Sequence, residues 1–459
     1  MNSEDFDDLV IGAGQAGPAL AARLAQAGRR VAIVERLHMG GTCVNTGCMP
    51  TKTMVASAYA AYLARAGARF GVSTGPVGVD WAQVRARKDK VVETARANIA
   101  HWMETTPGVT VVHGHARFVD PHAVDVEGRR LAGERIFVNV GARAAAPPIA
   151  GLEAIRSLTN DDVMDLDEVP QHLLVIGGSY IGLEFAQIYR RLGAEVTVVE
   201  LAPALLPRED ADISAAIAEI LGGEGIALHT AVSALALAPE GRGAHATFRD
   251  AEGRAREVAA SHVLVAAGRR PNTDDLALEA AGLAADARGF IPIDDGCRTA
   301  QPHIYALGEV NGRGAFTHTA YNDFEIVAAN LLDGANRKIS DRQPCYALFI
   351  DPPLGRIGLT EAQAKAAGHE VLVGVRAMTR VGRAVESGET RGLMKVVLDA
   401  GSRRLLGAAL LGYRGDEAVQ TLLAPLYRGW TDREIMAVVG IHPTVAELLP
   451  YAIADAKPA

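Results

Sequence analysis

Cysteine is scarce: the chain has four in 459 residues, at positions 43, 48, 297 and 345. So few in so long a chain do not make a secreted disulfide framework. No histidine pair at zinc-finger spacing and no second close cysteine pair is present to complete a zinc site, so no metal centre is expected. There is also no excess of basic charge. The formal net charge of -8 gives no footprint for nucleic acid or anionic lipid. No apolar run approaches the length of a membrane span, so no membrane partner is expected. The opening MNSEDFDDLVIGAG is acidic and enters a strand directly, which does not read as a signal or transit peptide, and a cytoplasmic setting is expected. What the chain does have is length and apolar content: 459 residues, 49% hydrophobic, exceed what one core organises, so two to four domains are expected.

The organising feature is an internal repeat. Residues 8–36 read DLVIGAGQAGPALAARLAQAGRRVAIVER and residues 173–201 read LLVIGGSYIGLEFAQIYRRLGAEVTVVEL. Each is an apolar strand, a glycine turn, a helix with apolar residues at helical spacing, a glycine break and a β-branched strand ending in glutamate. The interval from first glycine to acid is the same in both, Gly12 to Glu35 and Gly177 to Glu200. Such a unit binds a dinucleotide: the glycines let the turn approach a pyrophosphate, the helix N-terminus supplies donors, and the acid receives ribose hydroxyls. Gly12, Gly14 and Gly17 fill all three glycine positions of the first copy. The second keeps Gly177 and Gly182 but has Ser179 in the middle. Glu200 favours NADH over NADPH, since a carboxylate repels a 2′-phosphate, while nearby Arg208 keeps NADPH as the minority reading.

Between the copies lies GGTCVNTGCMPTK, residues 40–52, with Cys43 and Cys48 five positions apart. A stapled loop, a metal site and a redox switch are the alternatives. The pair follows the first nucleotide unit by only a few residues, so it can close a short disulfide within reach of that nucleotide. Pro50 suits the first turn of a helix through TKTMVASAYAAYLARA, which places Cys48 at a helix N-terminus whose field favours a thiolate. Cys297 and Cys345 have no cysteine neighbour and read as ordinary thiols. The charged stretch 81–103 reads as a helix with a solvated face, and His101 and Trp102 at its end are candidates to border a substrate mouth.

GGTCVNTGCMPTK resembles the redox-active disulfide motif of the class I pyridine nucleotide-disulfide oxidoreductases, which include dihydrolipoamide dehydrogenase, glutathione reductase and mercuric reductase. Further matches follow in the family's order: VGAR at 140–143, GGSYIGLEFA at 177–186, AAGRRPN at 266–272, TAQPHIYALGEV at 299–310 and HPTVAE at 442–447. The resemblance implies an α/β chain with two Rossmann-like domains, for FAD and NAD(P), and a C-terminal α+β dimerisation domain. The expected segments are 1–150 for the first FAD segment, 151–270 for NAD(P), 271–337 for the second FAD segment and 338–459 for dimerisation. The implied cofactor contacts are Gly12, Gly14, Gly17, Glu35, Gly41, Thr42, Lys52, Gly141, Gly177, Tyr180, Ile181, Gly182, Glu200, Gly268, Arg269, Gly308 and Glu309.

The roles implied by the resemblance form one electron path. Nicotinamide docks beside Tyr180, and Cys48 is the flavin-side sulfur. Cys43 is the interchange thiol. His442, reaching in from the other subunit of a homodimer with Glu447 orienting it, handles protons, and Lys52 and Glu184 match an ion pair beside the flavin. Departures narrow the substrate. Glu309 stands where the family has Asp at the flavin's ribityl chain. Thr46, Met49 and Thr51 depart from the usual dehydrogenase motif toward mercuric-reductase-like flavoproteins, yet PYAIADAKPA lacks the terminal cysteine pair that receives mercury. Ala22 stands where glutathione reductases carry the Arg that meets glutathione. The expected enzyme is therefore an NADH-preferring, FAD-dependent reductase of a small disulfide or dihydrolipoyl-type substrate. Reduction of a metal ion such as Hg(II) or Cu(II), of a quinone or of oxygen by the same core is the alternative. A non-catalytic FAD-holding subunit is the reading from a different class.

Overall fold

The computed structural model describes residues 3–459, which form two compact units, each assembled from three chain segments. The first unit comprises residues 3–53, 85–145 and 268–342. Its sheet has five parallel strands in the order Val109–His113, Val31–Glu35, Ser3–Ile11, Arg129–Val138 and Ile304–Ala306, extended by the antiparallel strands Ala123–Val126 and Ala116–Asp120. Both faces are covered, which is why the sequence there runs apolar without alternation. Leu9 and Ile11 enter one core, while Val10 between them enters the other with Leu20 and Leu24 of the helix Gly17–Gln26.

The second unit comprises residues 54–84, 146–267 and 343–459. It repeats the nucleotide architecture in a parallel sheet ordered Ala227–His229, Glu195–Val199, His172–Ile176, His262–Val265 and Ser157–Leu158, with the helix Tyr180–Leu192 after the glycine turn. A three-stranded antiparallel sheet spans residues 233–260. The C-terminal part is a six-stranded antiparallel sheet that begins with Cys345–Leu348 and Leu354–Gly358 and is completed by Lys457–Pro458.

The architecture is the expected one, and the compact units divide the chain differently from the expected segments at two places. Segment 54–84 groups with the second unit, because Met54, Ala58 and Trp81 are buried in its core. The first unit resumes at Gly268: the strand Arg269–Pro271 pairs antiparallel with Ala142–Ala144 of that unit. The charged helix Trp81–Thr105 buries Lys88, Val92 and Met103 and exposes Glu93, Thr94, Ala97 and Asn98. Among the described residues no helix is long and apolar enough to cross a membrane.

Candidate active site

The two glycine turns are built alike, down to individual hydrogen bonds. In the first, the Ala13 N–H donates to Glu35 Oε2 at 2.8 Å and the Leu37 N–H to Glu35 Oε1 at 2.8 Å. In the second, the Gly178 N–H donates to Glu200 Oε2 at 2.6 Å and the Ala202 N–H to Glu200 Oε1 at 2.7 Å. The acid that ends each second strand thus reaches back to the residue after the first glycine.

The first and third glycines are demanded by the chain itself. Gly12 has φ +99°, and a Cβ there would lie 2.4 Å from the Asn139 carbonyl oxygen; one on Gly17 would lie 2.2 Å from the Gly12 oxygen. Gly177 and Gly182 repeat this, with a Cβ 2.5 Å from the Ala266 oxygen and 2.0 Å from the Gly177 oxygen. The middle position is different. A Cβ on Gly14 meets only the Asn139 side chain, at 3.1 Å, and its counterpart Ser179 is the N-cap of its helix. Packing therefore fixes two glycines per copy and leaves the third to what binds. In the first copy Gly41, at φ +58°, also approaches Gly14 so closely that a Cβ would lie 2.7 Å from its Cα. These residues fit a dinucleotide: two narrow glycine cradles, the second with the small Ser179 at its middle position, each at a helix N-terminus and each with a carboxylate at the end of the next strand.

Asn139 was not singled out by the sequence. Buried at the end of a strand, it accepts the Gly17 N–H on Oδ1 at 3.1 Å and donates from Nδ2 to the Leu307 oxygen at 2.9 Å, tying the first turn to the Leu307–Gly308 segment. Its signal was an amide inside the apolar run IFVNV. On that second segment Gly308, at φ +76°, donates its N–H to buried Asp323 at 2.8 Å, and Arg342 pairs with the same carboxylate. Glu309 is bonded by Arg269 Nε at 2.8 and 3.0 Å, while Arg269 Nη2 reaches the Ala142 oxygen at 2.6 Å. The longer acid is thus held by a guanidinium from the Gly268 turn. Gly141, at φ +64°, directly precedes the strand Ala142–Ala144, and its oxygen accepts the Asn272 N–H at 3.1 Å.

Gly41, Thr42 and Cys43 lie in the short helix Gly41–Asn45, and Cys48 opens the helix Cys48–Arg65, which also carries Lys52. The Cys48 sulfur lies 3.3 Å from the hydroxyl of Thr317, the first residue of the helix Thr317–Leu332. The Cys43 thiol is pushed far above its ordinary value, first by its hydrogen bond to Cys48, then by burial and by the Cys48 charge; Thr317 and Lys52 pull the other way. The two sulfurs therefore form one coupled pair, in which the Cys43 thiol is held above its ordinary range by its neighbour. Thr317 was missed by the sequence, and no motif around it gives a signal.

In the second unit Tyr180 is the first residue of its helix, followed by Ile181, and its ring meets Tyr346 edge-on, with centroids 5.5 Å apart. Glu184, one turn on, is buried and accepts the Phe349 N–H at 2.9 Å. His442 is 81% exposed in its side chain, with Nδ1 3.1 Å from both Glu447 oxygens; the Thr444 N–H also donates to Glu447 Oε1 at 3.1 Å. Exposed Val438, Val439 and Ile441 precede His442 in an apolar stretch.

Two nucleotide cradles and a cysteine pair at a helix N-terminus define a dithiol oxidoreductase with two dinucleotides. Residues 6–323 match the family model of the pyridine nucleotide-disulphide oxidoreductases, and residues 345–453 match the dimerisation domain of the same family. The chain is 34% identical over 454 residues to the probable pyridine nucleotide-disulfide oxidoreductase RclA of Escherichia coli strain K12, covering 97% of this chain and 98% of that protein. It is also 34% identical to a mercuric reductase of Streptomyces lividans, over 97% of this chain and 95% of that one. Identity to a dihydrolipoyl dehydrogenase of Haloferax volcanii is again 34%, over 98% and 96%. Among solved structures, the Cu(II) complex of the HOCl-induced flavoprotein disulfide reductase RclA from Escherichia coli superposes with a TM-score of 0.89 at 32% identity, covering 99% of both chains. The chain belongs to the pyridine nucleotide-disulphide oxidoreductases. It is an NAD(P)H-dependent flavin disulfide oxidoreductase that uses FAD and carries the family's dimerisation domain.

Proposed function

We propose that this enzyme, working in the cytoplasm as a homodimer, takes electrons from NADH and delivers them through the Cys43–Cys48 pair to a small disulfide, a lipoyl-type cyclic disulfide included. The observation that carries the reading is the placement of the pair: Cys48 opens a helix with its sulfur 3.3 Å from the Thr317 hydroxyl, and Cys43 hydrogen-bonds Cys48. When bound, FAD would be held by the Gly12–Gly17 turn, Glu35, Gly41, Thr42, Gly308 and Glu309, and would supply two-electron transfer between the nucleotide and the cysteine pair. NADH lies on the Gly177–Gly182 turn with Glu200 at its ribose. The first unit forms the FAD domain, 146–267 the nucleotide domain and 343–459 the dimerisation domain.

The substrate step balances with these residues. A Cys43 thiol that holds its proton tightly needs a base, and His442 of the other subunit, its Nδ1 fixed by Glu447, takes that proton on Nε2. The Cys43 thiolate attacks one substrate sulfur, breaking the S–S bond, and the leaving thiolate takes the proton back from His442. Cys48 thiolate then attacks the Cys43 sulfur, re-forming the Cys43–Cys48 bond and releasing the second thiol, which is protonated from solvent. Lys52 lowers the cost of negative charge at the pair. The exposed apolar residues before His442 suit burial against a second copy.

A second reading is supported by likeness to mercuric reductases and to a structure solved as a Cu(II) complex: a thiophilic metal ion as the acceptor. Steady-state NADH oxidation against lipoamide, low-molecular-weight disulfides, quinones, Hg(II) and Cu(II) separates the readings. Disulfide turnover that disappears in Cys43→Ser is expected. Turnover of metal ions alone would establish the second reading, and turnover untouched by loss of either cysteine would refute both.

A further inference from the structure

The helix that follows the second glycine turn carries a polar stripe along one face: Tyr180, Glu184, Gln187 and Arg191, at the spacing of successive turns. Every member meets the segment 346–351 of the C-terminal part. Tyr180 meets Tyr346 edge-on, and Glu184 accepts the Phe349 N–H. Gln187 exchanges two hydrogen bonds with the Asp351 backbone at 2.8 and 2.7 Å, and Arg191 Nη2 bonds Asp351 Oδ2 at 2.7 Å. A helix placed to cradle a nucleotide is therefore registered, turn by turn, on the sheet of another part of the chain.

The contact nearest the cradle continues inward. The Tyr346 hydroxyl donates to Glu209 Oε1 at 2.7 Å, and the two tyrosines also share a hydrogen bond. Glu209 Oε2 is held by Arg356 Nε at 3.0 Å and Nη2 at 2.5 Å, and both of those side chains are fully buried. Arg356 Nη2 also lies 3.5 Å from Asp210 Oδ2, so this guanidinium is directed at Glu209 and its neighbour. Glu209 lies on the loop after Glu200, and that loop closes on the glycine turn: the Leu206 N–H donates to the Gly178 oxygen at 3.0 Å, and Leu205 lies where a Gly178 side chain would be. Buried Lys395 holds the end of the same loop through Asp210, at 3.4 Å, and Asp212, at 2.9 Å. Burial and the Glu209 charge raise both phenols, Tyr180 to about 12, so at neutral pH both are intact donors.

We propose that Tyr346, braced by Glu209 and Arg356, is a positioning residue for pyridine-nucleotide binding, fixing the Tyr180 ring on one side of the cradle and the 201–210 loop on the other. The inference rests on the reading that NADH docks at Tyr180. It extends the nucleotide site to residues of the C-terminal sheet.

The test splits the two half-reactions of the FAD-loaded enzyme. Stopped-flow reduction by NADH at varied concentration gives its apparent Kd, and reoxidation of the dithionite-reduced enzyme by Ellman's disulfide reports the cysteine side. Losing an aromatic pair converts to a roughly two- to tenfold rise in Kd for Tyr346→Leu. Tyr346→Phe, which keeps the ring and loses the hydroxyl, shifts Kd less in the same direction and guards against a leucine variant that fails to fold. Reoxidation rates stay unchanged in both. The Tyr180→Leu/Tyr346→Leu double variant raises Kd by less than the product of the two single rises, because the two rings act partly as a unit while Tyr346 also holds the loop through Glu209. A rise in Kd for Tyr180→Leu with none for either Tyr346 variant overturns the proposal, and so does an equal loss in both half-reactions. If Tyr180→Leu itself leaves Kd unchanged, the placement of NADH fails first and the proposal falls with it.

Discussion

Replacing Arg191 by methionine tests how firmly the nucleotide helix is locked to the C-terminal sheet. Arg191 is 4% exposed in its side chain, bonds Glu224 at 2.7 and 2.8 Å and Asp351 at 2.7 Å, and lies over the Tyr62 ring at 4.0 Å. Methionine fills much of the volume but leaves two buried carboxylates short of a cation. Breaking a buried pair from one side costs about 3–5 kcal/mol. Arg391 still lies 3.0 Å from Glu224, so the lower end is expected, about 3 kcal/mol. For a domain of this size that lowers Tm by on the order of 5–10 °C. The double variant Arg191→Met/Glu224→Met removes one stranded carboxylate and should regain at least part of the loss.

The pH dependence carries the sign. Burial pushes Glu224 up, but Arg191 and Arg391 outweigh it and hold it below the ordinary carboxylate range; its contribution is present at neutral pH and is lost as pH falls through the folded value. Asp351 is raised by burial beyond what Arg191 offsets, so it costs stability at neutral pH and that cost is relieved on acidification. Without Arg191 burial weighs more at both groups, most at Asp351, while Arg391 still offsets part of it at Glu224. The deficit of Arg191→Met should therefore shrink as pH is lowered from neutral. Thermal unfolding of the FAD-loaded protein, read by flavin fluorescence at several pH values, measures it. A loss below about 1 kcal/mol, or a deficit independent of pH, would refute the reasoning.

Three further outcomes are expected. Gly17→Ala should give no FAD-retaining protein, because its Cβ would lie 2.2 Å from the Gly12 oxygen, whereas Gly14→Ala should fold and bind FAD more weakly, its Cβ lying 3.1 Å from Asn139 Oδ1; flavin content after gel filtration distinguishes them. NADH should exceed NADPH in kcat/KM, and Glu200→Ala should narrow the gap by losing both hydrogen bonding and repulsion, while an NADPH preference in the unmodified enzyme would contradict the assignment. Exchanging subunits between Cys43→Ser and His442→Ala dimers should restore part of the activity, since one of the two sites in each mixed dimer regains both groups; verified exchange without recovery would exclude a shared site.

The sequence by itself determined the two nucleotide units and the place of the cysteine pair, because those features are local. A strand, a turn that only glycine allows and a helix start must be contiguous, so their spacing survives in the primary structure, as Gly12–Glu35 and Gly177–Glu200 show. Cys48 at the head of its helix was legible for the same reason, through Pro50 two positions on. Only the tertiary structure could decide what depends on chain segments far apart. Asn139, Thr317 and Asp323 gain their roles from partners more than a turn of chain away: Gly17 and Leu307, the Cys43–Cys48 pair, and Gly308 and Arg342. Glu309 reads as a lengthened aspartate until Arg269 is seen to hold it, and segment 54–84 follows its apolar face into the second unit against the sequence order. Tyr346, Glu209 and Arg356 belong to no motif, and their joint meaning arises where a buried charge must find its partner across the fold, which spacing along the chain does not encode.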